Sequence, residues 1–302
     1  MTPDAPPAVP VRAVVVAFGA PVLLDQCLAS MGGGPPVLVV DNSSDPEVAA
    51  VAARHGADYV DPGTNLGFAG GVNLGLERRA GGDVLLVNPD ATLTPEAAQH
   101  LRRCLHAEAR LAAVAPRQTS PEGATPERVT WPFPTPAGAW VEAVGLGRLR
   151  RRADFLIGSV LLLRAEALAE VGPFDESFHP LYAEETDWQR RAADRGWSFR
   201  LCDEASATHV GAGTGGDRQE REVHFHAAQE RYIRKHHGRR GWAVYRAAAV
   251  AGALPRALVL GGERRRLAAG RLRLYWGGPL RAEAKLSAPA PTRLVASDRD
   301  ER

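Results

Sequence analysis

Short runs of branched aliphatic residues alternate with amphipathic stretches through the first half of this chain, and that rhythm sets the fold class. Residues 11–18 are apolar apart from Arg12, the mark of a strand covered on both faces. Residues 23–31 read as a helix, 36–40 as a second strand ending at Asp41, 46–55 as a helix and 57–60 as a short strand. A helix over 68–80, a strand over 83–87 ending at Asn88-Pro89-Asp90, a helix over 95–108 and an extended stretch over 112–115 follow. Such alternation with short connections predicts an α/β fold, with a mostly parallel central sheet covered by helices. Residues 117–152, rich in Pro, Gly and Arg, break the rhythm and carry no readable regular structure. A strand over 155–164, helices over 166–171 and 184–195, a strand over 197–202 and a charged helix over 219–237 complete the pattern.

At 302 residues the chain is long enough for one large domain and an appendage. We expect a flexible N-terminus over 1–10, the α/β domain over 11–237, an Arg-rich helical extension over 238–286 and a disordered tail over 287–302. Between Gly238 and Arg281 there are ten Arg and a single acid, Glu263, a net +9 against +2 for the whole chain. Cys27, Cys104 and Cys202 form no CxxC pair, which suits reduced thiols and a cytoplasmic setting. The first residues lack a basic, apolar leader pattern. The longest apolar run, 247–254, is broken by Pro255 and Arg256 and falls short of the ~20 residues of a spanning helix.

Several polar residues stand where an open α/β sheet binds ligands, past the carboxyl ends of its strands. Asp41, in Asp41-Asn42-Ser43-Ser44, can hydrogen-bond a nucleobase or ribose, or simply shape an Asx turn ahead of the next helix. Asn65-Leu66-Gly67 to Asn73 opens a helix with three glycines. Small residues there let backbone N–H groups approach a phosphate, though tight helix–sheet packing explains them equally. Asp90 can hold Mg2+ or Mn2+ on a diphosphate, because hard cations combine carboxylates with phosphate oxygens. One Asp needs a second protein ligand, and His209, before a Gly-rich loop, is the candidate. His224, His226, His236 and His237, on or beside a charged helix, read as solvated. The densest chemistry is Tyr182-Ala183-Glu184-Glu185-Thr186-Asp187-Trp188. Its carboxylates suit either proton abstraction from a hydroxyl or simple charge complementarity at a helix start.

The order of these pieces resembles the inverting family 2 glycosyltransferases of the GT-A fold, in their bacterial rhamnosyltransferase-like branch. The resemblance runs over about residues 11–237. It is carried by Val39-Val40-Asp41-Asn42, Asn65 to Asn73, Val87-Asn88-Pro89-Asp90, Gly158-Ser159, Val171 to Glu176, Tyr182 to Asp187 and His209. It implies a nucleotide-sugar donor, dTDP-rhamnose or a UDP-sugar, held by Asp41, Asn65, Gly67, Asn73, Asn88 and Asp90. It implies a divalent cation on Asp90 and His209, with Asn88 standing where the family's metal motif has its first acid. Glu185 stands where the family has its base, as Glu in place of Asp, so Asp187 competes for that role. Tyr182, Glu184 and Trp188 would meet a glycan or lipid-linked acceptor. The contrasting reading is a GT-A-like protein that binds nucleotide sugars or glycans without turnover.

The Arg-rich segment 238–281, with Trp242, Tyr245, Tyr275 and Trp276, suits an anionic membrane surface. That would make the protein peripheral at the inner face of the plasma membrane. A helical hairpin packed on the domain explains the segment equally. Its charge also fits nucleic acid, but no nucleic-acid module accompanies it, and no such partner is expected.

Overall fold

The computed structural model describes residues 9–79, 81–121, 126–149, 152–211 and 217–286. The expected disordered tail and most of the expected flexible N-terminus lie outside them. The first half alternates as its patterning predicts: β1 (Val11–Ala17), α1 (Pro21–Ser30), β2 (Val37–Asp41), α2 (Pro46–Arg54), β3 (Asp58–Val60), α3 (Gly67–Glu77) and β4 (Asp83–Val87). Then come β5 (Ala91–Leu93), α4 (Pro95–His106) and β6 (Leu111–Thr119). Pro at the first position and an Asp or Thr cap start two of these helices. Asp45 accepts from Glu47 N at 2.9 Å, and Thr94 from Ala97 N at 3.2 Å, each satisfying an orphan N–H.

The stretch that resisted reading holds short pieces: β7 (Pro126–Glu127), β8 (Thr130–Trp131) and α5 (Pro136–Ala143). The helix begins at Thr135-Pro136, with Thr135 accepting from Gly138 N at 3.0 Å, the same start as α4. Residues 155–164 are two strands, β9 (Phe155–Leu156) and β10 (Val160–Leu163), followed by α6 (Ala165–Val171) and α7 (Glu184–Ala193). Next, β11 runs from Ser198 to His209, seven residues further than its apolar part predicts. Beyond it lie α8 (Arg218–Val259), α9 (Gly262–Gly277) and α10 (Pro279–Leu286). None of the described helices is long and apolar enough to cross a membrane.

The large sheet has the order β3-β2-β1-β4-β10-β6-β11-β5, with β7 on β6. Strands β3, β2, β1 and β4 are parallel, as are β6 and β11, while β10 is antiparallel to both β4 and β6. Strand β5 on β11 and β7 on β6 are antiparallel as well, so the sheet is mixed. Helix α3 lies against β1 closely enough that a Cβ on Gly75 would stand 2.5 Å from Val14 Cγ1, and one on Gly71 2.6 Å from Val16 Cγ1. Glycine is required there by the approach.

The expected domain boundary at 237/238 falls inside α8, at a kink where Gly238 adopts φ 67° and ψ −174°. The extension joins the domain through one apolar cluster. Tyr232, Ile233, Trp242 and Tyr275 pack with Phe133, Phe155 and Phe178. Three histidines expected in solvent are paired instead. His226 is buried with Nδ1 2.9 Å from the Tyr275 hydroxyl, His224 Nδ1 lies 2.8 Å from Glu283, and His236 Nε2 lies 2.8 Å from Asp187. The helix patterning could not reveal this, because their partners come from α7, α9 and α10.

Candidate active site

The parallel strands deliver their carboxyl ends to one edge, and Asp41 sits there, paired across the sheet with Ala17. Its carboxylate is fully buried and used by the protein itself. Oδ1 accepts from Ser43 N at 2.9 Å and from the Ser43 hydroxyl at 2.5 Å; Oδ2 accepts from Asp45 N and the Tyr59 hydroxyl, both at 2.9 Å. Four hydrogen bonds leave no lone pair aimed outward. The Asx turn foreseen for Asp41 is formed. The exposed groups at this edge are Tyr59 and Phe18, the latter 54% accessible. Neither was singled out by residue-level reading.

The glycine-rich start of α3 is likewise occupied from within. Phe68 N donates to Pro180 O at 2.8 Å, and a Cβ on Gly67 would strike His179 and Pro180 within 3 Å. Asn65 Oδ1 accepts from Gly67 N at 2.8 Å. Asn73 bridges Phe174, accepting from its N–H at 2.8 Å and donating to its carbonyl at 2.9 Å. Asn65, Gly67 and Asn73 thus brace the loop ahead of α7.

Asp90 and His209 do meet. Antiparallel pairing of β11 with β5 sets His209 opposite Ala91. His209 Nε2 then lies 3.3 Å from Asp90 Oδ1, and its Nδ1 lies 3.4 Å from Glu127 Oε2. Burial works to lower the imidazole pKa, but Asp90 and Glu127 outweigh it and hold the ring above its ordinary value. The backbone of Asn88, two residues before Asp90, is held by Ser159, whose carbonyl accepts its N–H at 2.8 Å.

Neighbouring Ser159 is Gly158, and a Cβ there would lie 3.3 Å from Glu185 Cγ. The side chain of Glu185 therefore rests on the same turn that holds Asn88. Burial raises the Glu185 pKa, and Thr186 donates to its Oε1 at 3.3 Å. Glu184 is more extreme: Oε2 is buried without a hydrogen-bond partner. Its pKa stands well above the carboxylate range through burial first and the neighbouring Glu185 second.

Asp187 is different in kind. It is fully buried, with Oδ1 2.8 Å from both Lys235 Nζ and His236 Nε2, and Oδ2 2.9 Å from Arg191 Nε. Burial alone would raise its pKa, yet the bonds to His236, Lys235 and Arg191 prevail and hold it below normal. A carboxylate so neutralised is a poor proton acceptor, which sets Asp187 apart from Glu185. Trp188 lies in the core. It is fully buried, stacked on Phe174 at 5.8 Å with Nε1 donating to Gly172 O at 3.0 Å, and no acceptor reaches it. Tyr182 remains half-buried at φ 82°, just ahead of α7.

Known proteins resemble both this fold and this sequence. A mannosyltransferase from Pyrobaculum calidifontis, solved in complex with GDP-Man and Mn2+, superposes with a TM-score of 0.56 at 14% identity, over 92% of this chain and 84% of its own. Glucosyl-3-phosphoglycerate synthase from Mycobacterium tuberculosis gives 0.54 at 16% identity, over 75% and 79%. The fold is the GT-A fold of glycosyltransferases. In sequence, the chain is 27% identical over 190 residues to the low-salt glycan biosynthesis hexosyltransferase Agl10 of Haloferax volcanii, covering 59% of this chain and 60% of that protein. It is also 27% identical over 237 residues to an N-acetylglucosaminyl-diphospho-decaprenol L-rhamnosyltransferase of M. tuberculosis, covering 68% and 76%. No family model matches. The chain is thus a GT-A relative of hexosyl- and rhamnosyltransferases.

Proposed function

We propose that this chain is an inverting glycosyltransferase that moves a sugar from a nucleoside diphosphate to a hydroxyl of a glycan or lipid-linked acceptor. One observation carries the proposal: the side chain of Glu185 lies against Gly158, beside Ser159, whose carbonyl holds Asn88 two residues before Asp90, the partner of His209.

The donor set suits a divalent cation. Cis donors at ~2.1 Å around an octahedral ion stand about 3 Å apart, close to the 3.3 Å between Asp90 Oδ1 and His209 Nε2. Among the described residues no group of three or more His, Cys, Asp or Glu is placed to hold a metal. Two protein donors leave room for phosphate oxygens and water, as Mg2+ or Mn2+ prefers on a diphosphate. When bound, such an ion supplies charge neutralisation to the leaving diphosphate.

Glu185 then takes the proton from the acceptor hydroxyl as that oxygen attacks the anomeric carbon. The bond from that carbon to the diphosphate breaks, its electron pair leaving with the phosphate, and a single displacement inverts the centre. The raised pKa of Glu185 brings it toward the working pH, where a base is most effective. Exposed Leu258 and Val259 near Arg264, Arg265 and Arg266 support docking at an anionic membrane surface. Retained flotation with anionic liposomes after deletion of residues 238–302 would rule that out.

The test of catalysis is nucleotide-sugar turnover with Mn2+, comparing the wild type with Glu185→Gln. Loss of a general base costs about 10²–10⁴-fold, so turnover should fall by that much while donor affinity holds. Absence of turnover in the wild type across UDP- and dTDP-sugars would favour a binding protein instead.

A further inference from the structure

A second cavity, of about 310 Å3, opens beside Tyr182, between that residue and helices α8 and α9. Its walls include Arg218, Arg221 and Arg271, with the rings of Tyr182, Phe225 and His226. Tyr182 and Phe225 meet edge to face at 5.7 Å, and Phe225 to His226 likewise at 5.3 Å, so the aromatic wall is continuous. Behind it, His226 is fixed by the Tyr275 hydroxyl at 2.9 Å. Burial, with Arg271 adding to it, pushes its pKa down to about 4, so at neutral pH it brings no charge of its own. Three guanidiniums therefore face one lining carboxylate, Glu222. Arg218 reaches Glu263 at the start of α9 over 3.4 Å.

Two features connect this cavity with the reaction site. Tyr182 and Ala183 are consecutive non-glycine residues with positive φ, 82° and 67°. Such strain is held where surrounding structure demands it. Here it turns the chain from the cavity wall directly into α7, whose first two residues are Glu184 and Glu185. At the rim, the Arg218–Glu263 contact joins the cavity to the α8–α9 junction. There Leu258 is 73% and Val259 83% accessible. A basic cavity with an aromatic wall and an apolar ledge at its rim suits an amphiphile with a phosphate head.

We propose that this cavity binds the phosphate or diphosphate ester of a lipid-linked acceptor, with Arg218, Arg221 and Arg271 as its anchors. The inference rests on the transferase reading and deepens it, since it names the acceptor class. Planar guanidiniums bind phosphate oxygens through paired, charge-assisted hydrogen bonds. An ester held there leaves its sugar hydroxyls on the side of Tyr182 that leads to Glu185. Leu258 and Val259 lie along the way out for the tail.

The experiment uses the full chain with UDP and Mn2+ present at saturation, so that the donor cleft is filled. Calorimetric titrations compare farnesyl diphosphate, farnesol and inorganic pyrophosphate in the wild type, Arg221→Gln, Arg271→Gln and Arg271→Lys, with thermal melts confirming folding. Farnesyl diphosphate should bind more tightly than farnesol or pyrophosphate. Each Gln variant should weaken it about tenfold, as loss of one charge-assisted contact predicts, while UDP affinity stays unchanged. The Lys variant should recover part of the loss, since the charge returns without the fork. Equal farnesyl diphosphate affinity in wild type and Gln variants would overturn the proposal. So would a matching loss of UDP affinity, which would assign the cavity to the donor. Pyrophosphate binding as tightly as farnesyl diphosphate would also overturn it, by reducing the site to one for free phosphate. A wild type that binds no UDP with Mn2+ would count against the transferase reading, separately from the Arg-dependent arm.

Discussion

Asp187 Oδ1 and His236 Nε2 stand 2.8 Å apart, tying the helix that carries Glu184 and Glu185 to α8 just before its kink at Gly238. Lys235 reaches the same oxygen, also at 2.8 Å, and Asp175 as well, at 2.6 Å. Helix α8 therefore braces the helix of Glu184 and Glu185.

Replacing Asp187 by Asn leaves Arg191, Lys235 and the His236 imidazole facing a neutral amide. Breaking a buried ion pair typically costs 3–5 kcal/mol; Asn keeps the shape and one acceptor, so about 3 kcal/mol is expected in urea unfolding at pH 7. The folded pKa of Asp187 is depressed. Its contribution is thus present above the unfolded value, about 3.9, and is lost as pH falls through the folded one. The difference between wild type and variant should accordingly narrow below about pH 4. Unchanged stability at pH 7, with turnover abolished, would return the base role to Asp187.

Glu184→Gln should stabilise the protein at neutral pH. The folded pKa of Glu184 is raised, so stability is greatest below the unfolded value, about 4.3. It is lost as pH rises toward the folded one, because the unfolded chain releases its proton first. Gln removes that loss. Chemical denaturation across pH 4–8 should show the two proteins converging in acid and the variant gaining as pH rises. A variant less stable at every pH would contradict this.

Gly75→Ala tests the packing of α3 on β1. A Cβ at 2.5 Å from Val14 Cγ1 forces displacement in a close-packed layer, about 3 kcal/mol. The better helix propensity of Ala returns about 1 kcal/mol. A net loss of about 2 kcal/mol is expected, against a gain for a helix free of such contact. Nucleotide affinity should hold, since α3 presents no free N-terminus to a phosphate.

The parallel half of the sheet was legible because β1, β2 and β4 are largely buried and read as mostly apolar runs. The antiparallel pieces were not. Strand β11 continues through Asp203 and Glu204, whose polarity hides the part that pairs with β5 and delivers His209 to Asp90. That meeting of residues 119 positions apart was anticipated through ligand chemistry and resemblance, never through spacing. Glu185 and Asp187 were inseparable in sequence because what tells them apart, Lys235 and His236, lies on another helix. Asp41 stayed open for a related reason: a carboxylate at a strand end serves a ligand or its own turn equally well, and the Tyr59 hydroxyl that also reaches it comes from the next strand. Glu127, on the far nitrogen of His209, had no signal at all in a stretch without periodicity.

The central claim is that Asp90 and His209 together hold a divalent ion on a nucleoside diphosphate, and calorimetric titration of UDP and dTDP with Mn2+ or with EDTA tests it most directly. The wild type should bind at least one of the two about tenfold or more tightly with Mn2+, while Asp90→Asn and His209→Ala should each bind alike in both conditions. Equal affinity with and without metal in the wild type, or a full metal response in both variants, would contradict the account.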